Sequence, residues 1–125
     1  MWWQAKHRHL GKRAKAAIDR AERLLVPTVA CFEVAILVAR GRVKLDRTIE
    51  EWIGDLETDA RVELVPLSAR AAAIAYDLEL ASFRGDPADR MIYAAAVEHG
   101  VPLVTADERM SEFAESASPP VTIVW

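Results

Sequence analysis

Four short apolar runs punctuate this chain: "LLVP" at 24–27, "VELVPL" at 62–67, "PLVT" at 102–105 and "VTIVW" at 121–125. Between them lie stretches whose apolar residues recur every three or four positions, the spacing of one helix face. Strands this short and this uniformly apolar are buried on both sides, which requires helices above and below. The alternation therefore predicts an α/β fold, a short parallel sheet flanked by helices and joined by right-handed crossovers. Sites in such folds form at the carboxyl ends of the strands, so the place for chemistry is set before any residue has a role.

The helical segments carry their own punctuation. In "GKRAKAAIDRAERL" (11–24), Ala14, Ala17, Ile18, Ala21 and Leu24 share a face. Thr28 is expected to cap a helix through "VACFEVAILVAR", with Gly41 at its C-terminal stop. In "TIEEWIGDLETD", Ile49, Trp52, Ile53 and Leu56 align. Ser68 opens the next helix through "ARAAAIAYDLELA", and Asp86 opens another through "PADRMIYAAAVEH" to Gly100. A short helix over "DERMSEFAES" completes the set.

With 125 residues and no Gly/Ser/Pro linker, a single domain over 1–125 is expected. Cys31 is the only cysteine, so no internal disulfide can form, and with His7, His9 and His99 it lacks zinc-ligand spacing. The longest apolar run, "VPTVACFEVAILVA", is too short to span a bilayer and contains Glu33. No signal-peptide pattern follows the first basic residues, so a cytoplasmic location without membrane attachment is expected. Charge is uneven: residues 1–23 hold seven basic and two acidic residues, a net of +5, while the remaining nine basic and seventeen acidic residues carry −8. On charge alone the basic head is a solvated helix face.

Three segments offer carboxylates worth weighing. In "GDPADR" (85–90), Asp86 suits an N-cap, Pro87 the first helical position, and Asp89 the third, where it can complete a capping box. Capping explains this stretch by itself, yet one oxygen of Asp89 can cap while the other faces a cation. Asp107 follows "VPLVTA" at the end of a strand, where capping and a site role are equally open. Glu33 has apolar neighbours on nearly every side, and a buried carboxylate must reach solvent, a cation or a proton. Arg40, two turns on, is a thin alternative partner. Phosphate-loop and nucleophile-elbow signatures are absent.

Taken together, "LLVPTVACFEVAILVARGRVKL", "VELVPLSARAAAIAYDLEL", "FRGDPADRMIYAAAVEHGVPLVTADERM" and the closing "VTIVW" resemble VapC-type toxins of the PIN-domain ribonuclease family. The resemblance implies a PIN-like three-layer fold and an endoribonuclease that hydrolyses RNA phosphodiesters with Mg²⁺ or Mn²⁺. It also implies a small antitoxin as partner and a homodimer. Carried over by position, it makes Glu33, Asp89 and Asp107 catalytic and adds Asp86 to the metal ligands. RNA contacts are expected from Arg84, Arg90, Lys12, Arg13 and Lys15.

One departure stands out. The family opens with an apolar strand ending in a metal-binding aspartate, whereas this chain opens on "MWWQ", so it reads as a PIN-like domain truncated at its N-terminus. That leaves a central sheet position empty and sets a rival expectation, a catalytically impaired remnant that binds antitoxin without cleaving RNA. A phosphoacceptor receiver domain fits poorly, since it needs a lysine near its acids and only Lys44 lies beyond the first helix.

Overall fold

Helix termini and strand ends are fixed here by a few identifiable residues. The computed structural model describes residues 10–80, 83, 85–117 and 121–125. Helix α1 (Lys12–Arg20) buries Ala14 and Ile18 and leads into strand β1 (Leu24–Pro27). Helix α2 (Thr28–Ala39) follows directly. Its N-cap is Pro27, with no side-chain cap, so Thr28 is the first helical residue and not the expected cap. Gly41 adopts a φ of 70° just beyond α2, a left-handed turn that a Cβ disfavours.

Helix α3 (Ile49–Thr58) starts with a full capping box, Thr48 and Glu51 satisfying each other's backbone N–H groups. Strand β2 (Val62–Val65) stops short of the expected Leu67, because Pro66 has no N–H to continue a ladder. Helix α4 (Ala69–Leu80) is opened by the Ser68 hydroxyl, which accepts from the Ala71 N–H at 2.9 Å. Helix α5 (Pro87–His99) ends on Gly100 in the left-handed region. Strand β3 (Leu103–Val104), helix α6 (Glu108–Ser116) and strand β4 (Ile123–Val124) complete the order.

The strands pair in parallel, as predicted. They do so, however, as two separate pairs instead of one continuous sheet: β1 with β2, and β3 with β4. Among the described residues no strand pairs with both β1 and β3. Between them lies a largely apolar cavity of about 680 Å³, lined by Leu25 and Val26 on one side and by Leu103 and Val104 on the other.

Each pair has its own core. Val26, Cys31, Trp52 and Leu56 form one, while Phe83, Tyr93, Ala94, Met110 and Val121 anchor the other with Ala71, Ala75 and Leu78. In the second, Phe83, Tyr93 and Phe113 meet as three tilted or edge-on rings, centroids 4.9–5.6 Å apart. Arg61 fastens α1 to the first half by donating to the carbonyls of Ile18 and Ala21 at the helix C-terminus. Contact between α2 and α5 joins the halves.

Candidate metal centre

The start of α5 follows the local rules of its sequence. Asp86 is the N-cap and Pro87 occupies the first turn. The Asp89 N–H donates to Asp86 Oδ1 at 3.1 Å, and the Asp86 N–H donates to Asp89 Oδ2 at 3.1 Å. Arg90 Nη1 donates to the Gly85 carbonyl at 2.7 Å, tying down the chain that enters the helix. At Gly85 a Cβ would fall 2.7 Å from the Asp89 Cβ and 2.4 Å from a Phe83 ring carbon. Glycine is required there by close approach, and it lets Asp89 sit against the backbone.

Capping is only half of what these aspartates do. Across the α2–α5 contact comes Glu33, and one carboxylate oxygen from each of Glu33, Asp86 and Asp89 lies within 4.8 Å of the others. Asp89 is the one buried charged residue among those described, at 8% exposure. Glu33 is half-buried, with no hydrogen-bond or ion-pair partner among the described residues. Burial, then repulsion from Asp89, Asp86 and Asp107, pushes its carboxyl up to about 7. Burial also pushes Asp89 up, partly opposed by its backbone hydrogen bond to Asp86.

Asp107 behaves differently. It caps α6, accepting from the Arg109 N–H at 2.9 Å, and its own N–H donates to Thr105 Oγ1 at 3.1 Å. The Arg109 side chain hydrogen-bonds it and holds its carboxyl below the usual range. Arg109 Nη2 reaches both Asp107 Oδ2 at 3.0 Å and Asp89 Oδ2 at 3.2 Å. Asp107 thus stands outside the trio, joined to it through a guanidinium.

An all-carboxylate set with no cysteine or imidazole suits a hard, oxygen-seeking divalent cation, and Glu33, Asp86 and Asp89 fit one. Of the expected RNA contacts, Arg84 lies outside the described residues and Arg90 is committed to the Gly85 carbonyl. Lys15 pairs with Asp19 at 2.6 Å, while Lys12 and Arg13 edge a shallow recess beside Val124. No described hydrogen bond or ion pair connects these three to the acids. The residue that the sequence reading missed is Arg109. Its signal was a cation in the first turn of a helix, where the dipole disfavours one unless acids stand by.

Comparison with known proteins gives the family. The PIN domain family matches residues 1–116, and the chain belongs to that family. It is also 39% identical over 109 residues to Ribonuclease VapC22 of Mycobacterium tuberculosis (strain ATCC 25618 / H37Rv), covering 87% of this chain and 82% of that protein. The α/β reading and the VapC-type resemblance both stand on these matches. No solved structure matches at comparable significance.

Proposed function

We propose that the chain is a Mg²⁺- or Mn²⁺-dependent endoribonuclease toxin, restrained by a small antitoxin protein. The observation that carries this reading is the convergence of Glu33, Asp86 and Asp89 from two helices within 4.8 Å. Three carboxylates so close, one of them buried, repel by about 3 kcal/mol per pair at ~5 Å and an effective dielectric near 20, which a divalent cation relieves. The similarity to a protein named as a ribonuclease supplies the substrate class.

In this reading Asp89 is the principal metal ligand, while Asp86 and Asp107 act through water. A divalent ion held by Asp89 would supply an acidified water and charge neutralisation at the phosphoryl oxygens. Glu33, which faces Asp86 and Asp89 from the other helix, would orient the attacking water. Lys12 and Arg13 offer phosphate contacts on α1. Exposed Phe32 and Tyr76, 65% and 64% accessible, offer apolar surface to an antitoxin or to a second copy in a homodimer. No helix among the described residues is long and apolar enough to cross a membrane.

The test is cleavage of RNA by purified chain with Mg²⁺ or Mn²⁺ and with EDTA, alongside Asp89→Asn and Glu33→Gln. Metal-dependent cleavage lost in both variants supports the proposal; cleavage unaffected by EDTA or by Asp89→Asn refutes it. Among the described residues no strand joins the two pairs, which favours a second reading, a protein that binds antitoxin without cutting RNA. Antitoxin binding with no nuclease activity under any metal would select that alternative.

A further inference from the structure

Arg109 sits where a cation is least welcome on its own helix and most welcome to its neighbours. It lies in the first turn of α6, whose positive dipole end repels it. Its guanidinium nonetheless makes two bonds to Asp107, Nε to Oδ1 at 3.2 Å and Nη2 to Oδ2 at 3.0 Å, the planar fork that fits a carboxylate. The same Nη2 donates to Asp89 Oδ2, an oxygen that also accepts the Asp86 N–H. Asp89 is the most buried acid of the cluster, whereas the Arg109 side chain is 55% exposed and has room to leave.

Two consequences follow from charge and position. The Asp89 carboxylate is already partly neutralised by an internal cation on Oδ2, so a divalent ion approaching the trio meets a carboxylate whose charge Arg109 shares. Asp107 is held by the fork and does not enter the group that Glu33, Asp86 and Asp89 make. Resting on the metal-site reading above, we propose that Arg109 is the resident counter-cation of the cluster: it yields Asp89 to the incoming divalent ion and thereby sets the affinity for metal. Arg109 is on this account a positioning residue. Its anchorage on Asp107 keeps it beside the site after it has released Asp89.

The experiment measures Mn²⁺ binding to the full chain by the electron-spin resonance of free Mn²⁺, for the wild type, Arg109→Gln and Arg109→Lys. Removing the charge should tighten Mn²⁺ binding roughly tenfold at low ionic strength, and salt should shrink the gain. Arg109→Lys, which keeps the charge without the fork, should fall between. Without metal, Arg109→Gln should melt below the wild type, and the difference should close on saturation with Mn²⁺. Equal or weaker Mn²⁺ binding by Arg109→Gln, while the wild type binds normally, overturns the inference and leaves the metal site intact. Failure of wild type and variant alike to bind Mn²⁺ overturns both.

Discussion

The two halves of this protein are stabilised by different means. In the first, β1 and β2 pair over four positions, and a small core of Val26, Cys31, Trp52 and Leu56 supports them. In the second, β3 and β4 pair over only two positions, and α4, α5 and α6 supply the bulk through Tyr93, Met110 and a bed of alanines, joined by Phe83 from between α4 and α5. Strand pairing dominates one half and helix packing the other. The acidic cluster belongs to neither, because Glu33 comes from the first and Asp86 and Asp89 from the second. A site assembled across a junction depends on both cores, and a cation bound there would also clamp them together.

Deep truncations test this contrast most severely. Tyr93→Ala should cost about 4 kcal/mol and Leu56→Ala about 3 kcal/mol, read by urea denaturation. With the α2–α5 contact coupling the halves, each variant should still unfold in a single transition with coincident probes. Two transitions in Leu56→Ala would show that the halves are independent. Next in size comes Gly85→Ala, whose methyl group presses on Asp89 and Phe83. A loss of about 2 kcal/mol is expected, along with weaker stabilisation by Mg²⁺, both followed by thermal melts.

The paired capping boxes give a finer comparison. Thr48→Ala, in the first half, should cost about 1 kcal/mol with or without metal. Asp86→Asn keeps a cap of equal quality while removing one charge from the cluster. Melting temperature in EDTA should therefore rise for Asp86→Asn, and the advantage should vanish with Mg²⁺.

The pH dependence reads the same junction through the charge of Glu33. Because the folded Glu33 carboxyl is raised from 4.5 to about 7, the native state binds more protons than the unfolded chain between those values. Its contribution is fully present below about 4.5 and lost as pH rises through 7. Metal-free protein should therefore lose stability across that window, and Glu33→Gln should flatten the slope. A slope unchanged in Glu33→Gln would assign the titration elsewhere.

Much of this was written locally. The box in "DPAD", the stops at Gly41 and Gly100, the cap at Ser68 and the aligned Trp52 and Leu56 depend on neighbours within a turn or two. The sequence therefore determined the element order, the α/β class and the suspicion attached to a carboxylate inside "ACFEVAILV". Tertiary structure alone decided which distant segments met. It placed Glu33 beside Asp86 and Asp89, set Arg109 between Asp89 and Asp107, and split the strands into two pairs around a cavity. The reason is physical: caps and periodicity act within a few residues, whereas strand pairing and charge clustering are settled between segments far apart in the chain, by packing that no local pattern encodes.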